Sequence, residues 1–120
     1  MSTSTTITAL NDELNQSILN GKALDAFERL YADDVVMQEN TKEPTVGKSA
    51  NREHELQFFS SIETLHGIEL LGTAVHGDLS YAEMIFDVTF KGGQRVKLTQ
   101  VAARRWKDGQ IVHERFYYGA

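Results

Sequence analysis

Three polar side chains stand where apolar ones are due: Glu39, Gln100 and Glu114. In YADDVVMQEN (residues 31–40) the alternating row Val35, Met37 runs directly into Glu39. Carboxylates are rarely buried without a partner or a purpose. A carboxylate that ends an apolar row is therefore a candidate general base, and desolvation there makes it a better base near neutral pH. Its plainer role is a strand-end charge in solvent, or one paired with Lys42, Lys48 or Arg52. Glu114 has two readings as well. It forms a buried ion pair with Arg104 on the neighbouring strand, or, protonated, it donates a hydrogen bond to a developing enolate oxygen. Gln100 either satisfies a neighbour in the core or orients a ligand carbonyl.

Other chemistries find no foothold. The four histidines (54, 66, 76 and 113) show no i, i+4 pair and no HxH spacing, so no metal site is expected. There is no glycine-rich phosphate loop, nucleophile elbow or Ser/His/Asp arrangement. The expected chemistry is acid–base work without a cofactor.

Positioning these residues falls to elements that the sequence punctuates clearly. Ser/Thr residues at 2–6 offer an N-cap, after which Ile7, Leu10, Leu14 and Ile18 recur at helical spacing up to Asn20-Gly21. A second helix carries Leu24, Phe27, Leu30 and Tyr31 and ends near Asp33-Asp34. A short strand is predicted over 35–40 and a loop over 41–47. Ser49 is positioned to cap a third helix running to about Ile62, with Ala50, His54, Phe58 and Ile62 on one side. Beyond residue 64 the period falls to 2, predicting strands at about 65–76, 80–90, 94–106 and 111–118. Helices followed by an antiparallel meander indicate an α+β domain, with the helices on one face of a curved sheet.

The even row Ala82, Met84, Phe86, Val88, Phe90 is apolar against Glu83 and Asp87, so it faces inward. The even row of the next strand does too, and it embeds Gln100. The last strand is ambiguous by pattern alone. If Lys107-Asp108-Gly109 forms a three-residue loop, Ala102 lies opposite Glu114, Gln100 opposite Phe116, and Leu98 opposite Tyr118. The same logic at Lys91-Gly92-Gly93 sets Met84 beside Gln100 and Ala82 beside Ala102. The outcome is an apolar concave surface bearing Glu39, Gln100 and Glu114, the composition of a small-molecule pocket.

The totals bound the rest. A chain of 120 residues reads as one domain, 1–120, with one core. Twelve basic residues against seventeen acidic ones argue against nucleic-acid binding. No apolar run is long enough to span a bilayer. Cysteine is absent, which excludes disulfides. The start MSTSTTI lacks the features of a signal peptide, so the cytoplasm is the expected compartment.

GKALDAFERLYADDVVMQEN, the helix from GKSANREHE, and RRWKDGQIVHERFYY together resemble the nuclear transport factor 2-like superfamily, closest to its SnoaL-like, polyketide cyclase-like branch. The resemblance covers nearly the whole chain. It implies a cone-shaped α+β fold of three N-terminal helices packed on a curved antiparallel sheet of about four long strands plus a short one. It also implies a pocket between helices and sheet, and commonly a homodimer. The superfamily includes isomerases, cyclases, dehydratases, epoxide hydrolases and binding domains, so the motifs identify the fold better than the reaction. In its ketosteroid isomerase branch the base is a carboxylate just past a YADD-like stretch, and Glu39 falls there. That branch's two oxyanion donors are missing: Leu14 and Ala102 stand at about their positions. Glu114, expected across from Ala102, is the one group able to stand in.

The expected function is binding of a hydrophobic, oxygen-bearing small molecule, with isomerase or cyclase chemistry begun by proton abstraction next to a carbonyl. Glu39 and Glu114 are the expected catalytic pair. Leu14, Met37, His54, Phe58, Met84, Phe86, Gln100, Ala102, Phe116 and Tyr118 are the expected ligand contacts. The alternative is a non-catalytic ligand-binding or protein-interaction dimer. The outer row Ile85, Val101, His113, Arg115, Tyr117 suits a dimer interface or, alternatively, a merely solvated face.

Overall fold

The computed structural model describes the backbone of residues 3–119 and the side chains of residues 6–119; of the Ser/Thr run 2–6 expected to cap the first helix, the side chains of 2–5 lie outside that range and Thr6 lies within the helix. Two helices, α1 (Thr3–Leu19) and α2 (Ala23–Leu30), lead into strand β1 (Tyr31–Glu39). A two-residue strand β2 (Thr45–Val46) and helix α3 (Lys48–Ser60) follow. The chain then makes four strands, β3 (Ile62–His76), β4 (Leu79–Phe90), β5 (Arg95–Lys107) and β6 (Gln110–Tyr118). They form one open sheet in the order β2-β1-β6-β5-β4-β3. Among the described residues no helix is long and apolar enough to cross a membrane.

The α+β class and the β3–β6 meander follow the sequence reading, but the sheet is not wholly antiparallel. Strand β1 pairs parallel to β6, with Met37 beside Glu114 and Glu39 beside Phe116. Five long strands are present rather than four, because β1 starts at Tyr31. Tyr31 and Ala32 are buried and extended, while Asp33 and Asp34 are exposed where the β1–β6 ladder is interrupted. Those aspartates therefore lie within the strand and do not end a helix. Part of the expected loop 41–47 is also strand, since Thr45–Val46 pairs with β1.

Helix α3 begins two residues earlier than a cap at Ser49 predicts. Its N-cap is Gly47, at φ 99°, ψ 145°, a conformation open essentially to glycine alone. The helix turns Asn51, Glu55, Phe58 and Phe59 toward the sheet, while Ala50 and His54 are exposed. Ile62 belongs to β3 instead.

The β4–β5 register is the expected one, with Met84 opposite Gln100 and Ala82 opposite Ala102. The β5–β6 register is shifted by two. Lys107 pairs with Gln110, so the loop holds only Asp108 and Gly109, at φ 52° and 80°. A two-residue loop alone would turn Glu114 outward. A bulge at Val112 restores the face, since Arg105 pairs with His113 and Trp106 with Ile111. Glu114 therefore points inward as expected, but opposite Arg104; Ala102 faces Phe116 and Gln100 faces Tyr118.

The core gathers where α1 and α2 meet β1 and the turn ends of β5 and β6. Ile7, Leu14, Phe27, Leu30, Val35, Trp106 and Ile111 form one buried cluster. Trp106 donates its indole N–H to Ser80 Oγ at 2.8 Å, satisfying its one polar atom. Toward the other end of the sheet the helices stand off from the strands, and a cavity opens.

Candidate functional site

The cavity is about 820 Å³. Its floor is the inward row of β4, β5 and β6; its walls are α1, β1, the 42–45 segment and α3. Met84 and Ala102 are buried in the floor, with Phe86, Gln100, Phe116 and Tyr118 partly buried beside them. Leu14 and Met37 enter from α1 and β1 and are also buried. From α3 come Phe58, partly buried, and His54, exposed, with its Nδ1 3.3 Å from Thr45 Oγ1. The structure thus brings all twelve residues selected from the sequence, including Glu39 and Glu114, to one cavity wall.

The two carboxyls differ in circumstance. Glu39 is exposed at the mouth, where Tyr118 Oη lies 3.3 Å from its Oε1. Neither Lys48 nor Arg52 serves it. Arg52 binds Glu28 through Nε and Nη2, and Lys48 Nζ donates to the Glu28 and Tyr31 carbonyls, tying α3 to the end of α2.

Glu114 is sealed in a network. Its Oε1 accepts from Tyr31 Oη at 2.5 Å and its Oε2 from Arg104 Nε at 3.0 Å; Arg104 and Glu114 are each 1% exposed. Arg104 Nη1 also donates to Asn11 Oδ1 and Asn15 Oδ1, at 2.8 and 2.7 Å. The asparagine amides in turn reach Thr73 Oγ1, which donates to the Tyr81 carbonyl. Among the described residues no buried side-chain polar atom lacks a partner. With both oxygens accepting, Glu114 fits the ion-pair reading, and it does not offer a proton near Ala102. Burial above all, then the Glu114 charge, pushes the Tyr31 phenol well above the usual tyrosine value.

The third carboxyl was not singled out from the sequence. Glu55, one helical turn beyond Asn51, lines the cavity from α3. Among the described residues no hydrogen bond or ion pair reaches its carboxyl, which is half-buried and opens onto the cavity. Burial first, then the charges of Glu114 and Glu39, lift it to about 7. The spacing Asn51, Glu55, Phe58, Phe59 (i, i+4, i+7, i+8) was the available signal, hidden because half of that face is polar. Asn51 fixes this helix: its Nδ2 lies 3.3, 3.0 and 2.8 Å from the carbonyls of Val35, Thr45 and Gly47.

Chemically the wall holds one largely desolvated carboxyl able to exchange a proton near neutral pH, the exposed carboxyls of Glu39 and Glu43, several amides and several aromatic rings. Among the described residues no group of three or more His, Asp or Glu side chains is arranged to hold a metal ion.

Residues 3–118 match the SnoaL-like domain family. The chain belongs to that family. A SnoaL-like relative from Mesorhizobium loti, described as a candidate polyketide cyclase, is 31% identical over 93% of this chain and 98% of its own, with a TM-score of 0.82. The fold extends to more distant proteins. A candidate isomerase from Bacillus subtilis is 16% identical, covers 99% of this chain and 90% of its own, and superposes with a TM-score of 0.79. An LEH-like epoxide hydrolase from M. tuberculosis is 14% identical over 97% of this chain and 84% of its own, with a TM-score of 0.76. No curated protein matches. Membership in the SnoaL-like family carries the NTF2-like fold, whose members are often isomerases or cyclases.

Proposed function

We propose that this SnoaL-like protein binds an apolar, oxygen-bearing small molecule in the cavity and moves a proton on it, next to a carbonyl, without a cofactor. The observation that carries this reading is the unpartnered Glu55 carboxyl, lifted to about 7 inside the cavity. A group of that kind is divided between acid and base forms at neutral pH, which suits proton transfer. Glu55 takes the role of base that the sequence offered to Glu39. Glu39, at the mouth, acts through its charge. Gln100, in the floor between Met84 and Tyr118, supplies the amide N–H that stabilises the developing oxyanion. The Tyr31–Glu114–Arg104 network holds the far wall in place. Isomerisation and aldol-type cyclisation share this first step, and the M. loti and B. subtilis relatives support that range. The proposal includes a homodimer formed through the outer face of the sheet, which presents Tyr81 and Tyr117; light scattering that returns the 13.5 kDa monomer overturns that part.

The reaction is tested by deuterium exchange of the protons beside the carbonyl in α-tetralone and related aryl ketones, followed by NMR. Wild type is expected to accelerate exchange, with a rate that rises through about pH 7, the value of Glu55. Glu55→Gln is expected to lose roughly a hundredfold or more. If Glu39→Gln abolishes exchange and Glu55→Gln does not, the base is Glu39. No acceleration by wild type across the ketones overturns the catalytic reading and leaves binding alone.

A further inference from the structure

The cavity wall is unbalanced in charge. Its acids are Glu39, Glu43, Glu55 and Glu114; its permanent cations are Lys42 and Arg104. Arg104 and Glu114 are consumed by each other and sealed from solvent. Lys42 sits exposed on the loop after β1, its backbone bonded to Glu39 and Gln38. His54, the remaining basic side chain of the wall, is exposed with its ring at Thr45. The tyrosines of the wall, Tyr31 and Tyr118, direct their hydroxyls to Glu114 and Glu39. Glu55 is left over. The charges that act on it are two anions, with no cation among them.

A carboxylate in that position is expensive to ionise: it is largely desolvated, it faces like charge, and among the described residues no group donates to it. Protonation relieves it, which is why its value rises to about 7. A cation placed in the cavity would relieve it as well. The surrounding surface suits one, because the rings of Phe58, Phe86, Phe116 and Tyr118 line the same space and aromatic faces attract cations.

We infer that the ligand carries a positive charge: an apolar alkyl- or arylammonium compound whose cationic group rests against Glu55, with aromatic rings beside it. This rests on the reading of the cavity as a small-molecule site, and it adds the charge of the molecule. It is compatible with the proposed reaction, since a bound ammonium holds Glu55 in the ionised form that a base requires.

An isosteric pair of probes tests it: 4-tert-butylbenzyl alcohol, and the same molecule with trimethylammonium in place of the tert-butyl group. Neither titrates between pH 5 and 9. Binding is followed by calorimetry or NMR at fixed ionic strength. The ammonium probe is expected to bind at least roughly tenfold more tightly than the neutral one at pH 8. Its affinity is expected to fall about tenfold between pH 8 and pH 6, as Glu55 must first give up a proton. Glu55→Gln is expected to erase both the preference and the pH step. Equal affinity for the two probes overturns the cation inference and leaves the cavity as a binding site. A preference that survives Glu55→Gln also overturns it, because the attraction is then the general one of an acidic protein. Failure of both probes to bind overturns the inference together with the binding reading beneath it.

Discussion

The hydroxyl of Tyr31, at the start of β1, donates to Glu114 Oε1 at 2.5 Å and so ties the helix-to-strand junction to the buried ion pair on β6. Tyr31→Phe removes this donor while keeping the ring that packs on Phe27 at 4.8 Å between centroids. A buried acceptor left without its donor costs about 1–3 kcal/mol, and urea denaturation is expected to show a loss of that size. The same bond has an alkaline signature. The folded phenol is held above its unfolded value, so the folded chain keeps a proton that the unfolded chain releases as pH passes about 10. Its stabilising contribution is full below that pH and is lost as pH rises further. Absorbance titration should find one tyrosine in the native protein that ionises only with unfolding, and Tyr31→Phe should remove that one.

Arg104 serves Glu114 and two asparagines at once, so its loss is felt at three partners. Arg104→Met leaves the Glu114 charge uncompensated in the core and is expected to destabilise by about 3–5 kcal/mol. Adding Glu114→Leu removes the stranded charge. The double variant is therefore expected to be more stable than Arg104→Met alone, and a simple sum of the two single losses overturns that account.

The sequence made the floor of the cavity readable because strands β4 and β5 alternate cleanly between apolar and charged rows. Glu114 was assigned the correct face by two departures that cancel. The Asp108-Gly109 loop is one residue shorter than assumed, and the bulge at Val112 adds that residue back. The partner of Glu114 was therefore misplaced, while the ion pair with Arg104 was available from chemistry alone. Glu55 was missed for a different reason. Hydrophobic periodicity finds faces that pack on a core, whereas this face of α3 carries Asn51 for the backbone and Glu55 for an open cavity. The extent of β1 was hidden by Asp33 and Asp34, which are exposed strand residues at a break in the ladder.

Gly47 and Asn51 set the angle at which α3 meets the sheet, and hence where Glu55 points. Gly47→Ala forces a side chain into the conformation at φ 99°, although space for the methyl is open. The expected cost is about 1–3 kcal/mol of local backbone strain, with no clash against other parts of the fold. Asn51→Ala strips a donor from the carbonyls of Val35, Thr45 and Gly47 and is expected to cost a similar amount, about 2 kcal/mol. Both variants should also weaken binding in the cavity, by a fold-change larger than that of an exposed control on the same helix such as Ala50→Ser.

Glu55 makes the stability of the fold depend on pH in a direction opposite to that of most carboxyls. Its folded value, about 7, lies above the ordinary 4.5, so the folded chain retains a proton that the unfolded chain has lost between those two pH values. The side chain is therefore tolerated below about pH 4.5 and becomes progressively destabilising until pH passes 7, where both states are ionised. The shift corresponds to about 3 kcal/mol at most, an upper figure because the residue is partly solvent-accessible. Glu55→Gln keeps the shape and deletes the charge. Denaturation midpoints of wild type and variant are expected to coincide near pH 4.5 and to diverge toward pH 8, with the variant the more stable. A gap that stays constant with pH would show that Glu55 is ionised throughout, and with it the proton-transfer role would fall. The comparison also states what the site costs the fold. A desolvated acid that weakens the protein at neutral pH, on a helix otherwise anchored by Asn51 and Lys48, is placed as a reactive group is placed: its expense is borne by structure elsewhere.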